Sequence, residues 1–251
     1  MSILVFDTET TGLNKPFCYD VGYQIIDTES AEVRVAKHFI IEQIWHNLPL
    51  FESAYYKEKR QKYIKLMRAR LATLDKWGYV MQEMRRDIKK YNITDAYAYN
   101  SEFDDSVFAF NCDWYKCANP LELTAIHDIW GYASQFITNY YDYRDFCEKH
   151  QFFTDTGNYK GSAEVVYRYL TNNSEFEEDH MGLYDAQIET IILFHCISKG
   201  AEWNKDYPVN KILARPQEKP FTIKVNNNVI YTGHYIKKYA RNNCYNFTVR
   251  G

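Results

Sequence analysis

Ser2-Ile3-Leu4-Val5-Phe6-Asp7-Thr8-Glu9-Thr10-Thr11-Gly12 is a short apolar run that ends in two acids and a turn. Residues 2–7 have the character of a buried strand. Side chains two apart on a strand point the same way, so Asp7 and Glu9 leave its end together. Two carboxylates on one face repel unless positive charge lies between them, and a hard divalent cation supplies it. Taken alone, the triplet also suits a solvated strand end.

The segments that follow set the fold class. Residues 21–27 and 33–41 read as strands, joined through Thr28-Glu29-Ser30 as an antiparallel hairpin. The second alternates apolar and polar, which predicts one wet face. Tyr63, Met67, Leu71 and Leu74 recur at helical spacing, Ile64 and Leu66 widen the stripe, and 77–91 continues in the same manner. Ala96-Tyr97-Ala98-Tyr99 reads as a strand, 103–110 as a helix and 123–128 as a strand; helices are expected at 141–150, 161–170 and 184–198. Strands alternating with helices give an α/β fold, with the first three strands forming half of a mixed sheet.

The chain has 251 residues, 46% hydrophobic and 25% charged, which excludes collagen-like, low-complexity and disordered classes. No apolar run approaches the ~20 residues of a membrane span. The start lacks the basic and apolar stretches of a secretory signal, so a cytoplasmic protein with no membrane partner is expected. Cys112 and Cys117 lie close, with His127 ten residues on, but a second close ligand pair is missing; free thiols are expected. Pro208, Pro216 and Pro220 mark 201–220 as a linker between a domain at 1–200 and a β-rich tail at 221–251. In that tail 221–225, an Asn226-Asn227-Asn228 turn and 229–233 form a hairpin pattern. Residues 215–251 carry seven Lys/Arg against Glu218 alone, a charge of +6, which leaves −9 on residues 1–214 of a chain with net charge −3. The tail is therefore a candidate surface for phosphates or for a protein partner.

Two more segments carry acids at element junctions. Asn100-Ser101-Glu102-Phe103-Asp104-Asp105 follows a strand and opens a helix, at the sheet edge where α/β proteins bind ligands. Asp104 is the residue of interest; Asp105 better suits an acid that serves only the helix dipole. His180-Met181-Gly182-Leu183-Tyr184-Asp185 precedes another helix, so His180 on a loop and Asp185 at a helix start can face one cavity.

Together these three segments resemble the DEDDh 3′–5′ exonucleases, a ribonuclease H-like family that includes the proofreading epsilon subunit of bacterial DNA polymerase III, ribonuclease T and oligoribonuclease. D-T-E-T-T-G stands at 7–12, N-x-x-F-D at 100–104 and H-x4-D at 180–185, and the resemblance spans about residues 1–198. It implies a mixed sheet flanked by helices, with Asp7, Glu9, Asp104 and Asp185 holding two Mg²⁺ or Mn²⁺. It also implies His180 as general base, a role suited to an imidazole that titrates near ~6.5. Thr8, Thr10, Asn100 and Phe103 would border the terminal nucleotide. The expected activity is hydrolysis of single-stranded DNA 3′ ends to nucleoside monophosphates. The alternatives are an RNA-directed enzyme and a non-catalytic nucleic-acid-binding protein. Two features depart from the epsilon pattern: the basic tail, and the run Lys57, Lys59, Arg60, Lys62, Lys65, Arg68 and Arg70, which suits either a solvated face or a phosphate-tracking surface.

Overall fold

In the computed structural model, residues 1–14, 16–216, 218–225, 228–238 and 246–250 are described. β1 (Ser2–Thr10) lies between β2 (Cys18–Asp27), to which it is antiparallel, and β5 (Asp95–Ala98), to which it is parallel. Its side chains enter two cores by turns. Leu4 and Phe6 pack with Val80, Met84 and Phe108 on one face, while Ile3 and Val5 pack with Ile129, Val166 and Ile192 on the other. Burial on both faces is why its apolar run is continuous.

β3 (Val33–Ile41) pairs antiparallel with β2; β4 (Thr73–Asp75) and β6 (Ala125–Asp128) are the parallel edges, giving the order β4-β3-β2-β1-β5-β6. The wet face expected of β3 is not what forms: exposure runs along the strand, from Val33 outside to His38–Ile41 buried. After β3 come two single turns, α1 (Glu42–Trp45) and α2 (Leu48–Phe51). Helices α3 (Arg60–Arg68), α4 (Trp77–Lys90) and α5 (Ser101–Tyr115) contribute to the first core. Helices α6 (Ile129–Ala133), α7 (Tyr141–His150), α8 (Ala163–Thr171) and α9 (Gly182–Ser198) contribute to the second. The helical stripe expected through Leu74 ends early. Arg70 turns left-handed at φ +59° and the Leu71 amide bonds back to the Leu66 carbonyl, which closes α3 and sends Leu74 into β4.

The join between sheet and α9 depends on two glycines. A Cβ on Gly22 would lie 1.8 Å from the Leu183 amide nitrogen, and one on Gly182 would lie 2.6 Å from the Gly22 nitrogen. Without those side chains the start of α9 rests directly on β1 and β2.

Residues 201–216, expected within a linker, lie against the second core. Ala201 and Leu213 are buried, the Leu213 carbonyl accepts the Tyr159 amide, and Arg215 pairs with Glu148. Beyond them β7 (Glu218–Val225), β8 (Asn228–Lys238) and β9 (Asn246–Arg250) form an antiparallel sheet, one strand more than the expected hairpin. Lys15, Asn226, Asn227, Arg241 and Cys244 lie outside the described residues. Cys112 and Cys117 are free thiols, and His127 is bonded to Asp95 and Asp206 instead of joining them. Among the described residues no helix is long and apolar enough to cross a membrane.

Candidate active site

Strand parity places the acids. Asp7 and Glu9 share the face of Ile3 and Val5, on the side of α9. Thr8 points the other way, toward α5, where its amide (3.1 Å) and hydroxyl (2.6 Å) both donate to Asp104 Oδ1. Asp104 sits in the first turn of α5, after Asn100 in the left-handed region at φ +61°. Asn tolerates that region better than most residues. The Asn100 amide donates to Asp128 Oδ1 (2.9 Å), which also caps α6 by accepting the Trp130 amide (2.8 Å). Asp128 thereby ties the carboxyl ends of β5 and β6 together.

On the α9 side, the Gly182 amide donates to Asp20 Oδ2 at 3.1 Å, and the Tyr63 hydroxyl donates to the same oxygen at 2.8 Å. Asp20 Oδ1 lies 2.8 Å from His38 Nε2, and Asp20 is the register partner of Glu9. One buried carboxylate therefore fixes the helix start that presents Asp185. A second acid of α9, Glu189, accepts the Tyr99 amide at 3.1 Å and so fixes the end of β5. His180, at φ +47°, stacks on Tyr56, and its Nδ1 is 3.6 Å from Glu178 Oε2.

The result is a concentration of buried negative charge. Glu9, Asp104, Asp185 and Glu189 are between 3% and 9% exposed. Burial comes first in raising each carboxyl. Asp7 is held well above the carboxylate range by burial and then by Asp104, Glu189, Asp185 and Glu9. Asp185 is raised by burial, Glu178 and Glu9, and Glu189 by burial and Asp104. Glu9 is pushed up to about 8 by burial and Asp20, with Lys59 opposing. Asp104 reaches about 7 because burial outweighs the two bonds from Thr8. Burial and the Lys59 ammonium hold His180 down to about 4.

These groups fit hard divalent cations. Asp185 Oδ1 is buried with no hydrogen-bond partner among the described residues, and the surrounding donors are carboxylate oxygens whose repulsion a cation relieves. Ligand atoms of Glu9, His180 and Asp185 lie within 4.8 Å of one another. Asp7 and Asp104 stand outside that tight group and join it through charge and through the Thr8 bonds.

The remaining expected residues are at the rim. The Thr10 hydroxyl donates to the Gly12 carbonyl at 2.8 Å, and Phe103 packs partly buried against the first core. Sequence reasoning missed Glu189, Asp20, Glu178, Tyr56 and the inward turn of Lys59. Only Glu189 had a legible signal, since i,i+4 spacing from Asp185 puts both on one helix face.

No protein-family model and no curated protein matches the chain. Solved structures do match. E. coli exonuclease I in complex with a 5cy-dT13 oligonucleotide has TM-score 0.51 and 13% identity over 79% of this chain and 40% of that chain. A 3′-exonuclease in 3′-end specific recognition of histone mRNA stem-loop has TM-score 0.51 and 9% identity over 98% of this chain and 73% of that chain. The chain thus spans about two fifths of the length of exonuclease I. The mixed sheet with its flanking helices is the fold that this chain shares with these two exonucleases.

Proposed function

We propose that this chain is a metal-dependent 3′–5′ exonuclease that hydrolyses single-stranded DNA ends to nucleoside monophosphates. The observation that carries the reading is the convergence of Asp7 and Glu9 from β1, Asp104 from α5 and Asp185 from α9 on one buried, mutually repelling centre with His180 beside it. Asp7, Glu9, Asp104 and Asp185 would hold two Mg²⁺ or Mn²⁺, which when bound acidify a water and neutralise charge on phosphate oxygens. Thr8 orients Asp104, and Asp20 and Glu189 brace the elements that present the acids. Burial and Lys59 disfavour the His180 cation and so favour the neutral imidazole, the form that can accept a proton. Thr10, Asn100 and Phe103 flank the acids and would border the terminal nucleotide.

The test is incubation of 5′-labelled DNA and RNA oligomers, single- and double-stranded, with Mg²⁺ or Mn²⁺. Stepwise shortening of single-stranded DNA from the 3′ end with release of mononucleotides is expected, abolished by EDTA and by Asp104→Ala. Faster shortening of RNA would replace DNA by RNA as the substrate. Binding without release of mononucleotides would make the chain a nucleic-acid-binding protein instead.

A further inference from the structure

Tyr56 and Lys59 lie between α2 and α3, more than a hundred residues from the His180 loop, yet the stretch 56–62 grips that loop at three points. The Tyr56 ring stacks on the His180 imidazole, with centroids 4.1 Å apart and 13° between planes. The Lys59 ammonium donates to the Asp179 carbonyl and lies 4.3 Å from the Tyr56 ring centroid. The Lys62 ammonium pairs with the Asp179 carboxylate. His180 has φ +47°, a conformation uncommon for a residue with a Cβ, and such backbone persists where its surroundings hold it.

The basic run is therefore divided in two. Lys57, Lys65, Arg68 and Arg70 are exposed, as a solvated or phosphate-facing surface requires. Lys59 is turned in toward the loop, and Arg60 lies over the Trp45 and Phe51 rings. Tyr56 has a ring face occupied by His180 and is only half-buried, so its contact is with the protein's own loop.

We propose that Tyr56 and Lys59 are positioning residues for the general base. Tyr56 sets the plane of the His180 imidazole and Lys59 anchors the peptide just before it, so that the segment after α2 clamps the loop that carries the proton acceptor. This rests on the reading of His180 as that acceptor.

The test uses the full chain with Tyr56→Ala, Tyr56→Phe, Lys59→Arg and Lys59→Met, each alone, and with Tyr56→Ala combined with His180→Ala. Tyr56→Ala should lower kcat about 10- to 100-fold, the usual cost of a misplaced group, with KM changed less than about twofold. Tyr56→Phe keeps the ring and should keep most of kcat; Lys59→Arg keeps the donor and should outperform Lys59→Met. In the His180→Ala background, Tyr56→Ala should cost nothing further, because its effect passes through the missing imidazole. Mn²⁺ binding by calorimetry should stay within about twofold throughout. The His180 ring proton should show a ring-current shift in the wild type and Tyr56→Phe that is lost in Tyr56→Ala, a readout that needs no turnover. Equal loss in both His180 backgrounds, full kcat in Tyr56→Ala, or no ring-current shift would overturn the clamp. A His180→Ala enzyme with normal kcat would instead overturn His180 as the base, and the clamp with it.

Discussion

Asp104 accepts two hydrogen bonds from Thr8 and still has its carboxyl raised to about 7, because burial outweighs both bonds. Glu9, at about 8, follows the same rule. An acid whose pKa is raised on folding holds a proton that the unfolded chain has released. Its contribution to stability is full below the ordinary carboxylate range near ~4 and is lost as pH rises through the folded value. Metal-free protein should therefore melt at progressively lower temperature from pH 5.5 to pH 8, and Mg²⁺ or Mn²⁺ should restore the loss by replacing those protons. Scanning calorimetry in EDTA checks this, and a flat Tm across that range would contradict it. By the same reasoning Asp7→Asn should raise the metal-free Tm at pH 8, about 2–4 °C for each kcal/mol of repulsion relieved, while abolishing turnover. His180 gives the companion prediction. An imidazole held near 4 is already neutral above pH 5.5, so the rise of rate with pH should follow the acids and not a histidine near ~6.5. Raising the metal concentration should move that rise to lower pH. His180→Ala should cost about 10²–10⁴ in kcat with the position of the rise unchanged. A rise fixed near pH 6.5 at every metal concentration would return the titration to the imidazole.

At the scale of elements, what was legible in the sequence is what short-range pattern encodes. The period-2 rule put Asp7 and Glu9 on one face, and the acids at 104 and 185 could be placed at helix starts because junction residues announce themselves locally. Asp20 could not be found that way. It sits in an ordinary strand pattern, and its partners Tyr63 and Gly182 are 43 and 162 residues away. The end of α3 is hidden from the sequence pattern for a related reason: Leu74 continues the helical spacing but reaches the first core from β4, after Arg70 has reversed the chain. Gly22 also looked unremarkable, although the seat of α9 depends on it. Gly22→Ala places a methyl group 1.8 Å from the Leu183 nitrogen, where backbone must yield. A loss of about 3 kcal/mol or more is expected, the range of severe single substitutions. Gly78→Ala is the control, since a Cβ there meets nothing within 4 Å. It should be neutral or stabilising by about 0.4–1 kcal/mol. Urea denaturation of both variants decides the matter, and equal midpoints would remove the close-approach argument.

For the whole molecule, the folded body extends past residue 200. The prolines mark a linker from residue 201, but Leu213 is only 2% exposed and its carbonyl receives the Tyr159 amide. Removing residues 209–216 would uncover the second core and orphan that amide, a loss of about 2–4 kcal/mol from the buried leucine and the unpaired donor together. A chain ending at Pro216 keeps Leu213 and the pair between Arg215 and Glu148. We propose that it folds and retains the site, since Asp7, Glu9, Asp104, Asp185, Glu189 and His180 all lie before residue 190. What it loses is residues 217–251, in which six Lys/Arg stand against one acid, a charge of +5. If that surplus tracks the phosphates of a long strand, truncation should raise KM for long oligomers and spare kcat. The dependence of log K on log salt should flatten by about 0.7 for each lost contact to a single strand. Dinucleotides, too short to span both regions, should be cleaved as before. Titrating binding of a long oligomer from low to high salt, for the full and the truncated chain in parallel, separates the cases. Parallel salt slopes and equal KM would mean that the tail does not hold the substrate, and would direct attention to a protein partner for the β7–β9 sheet.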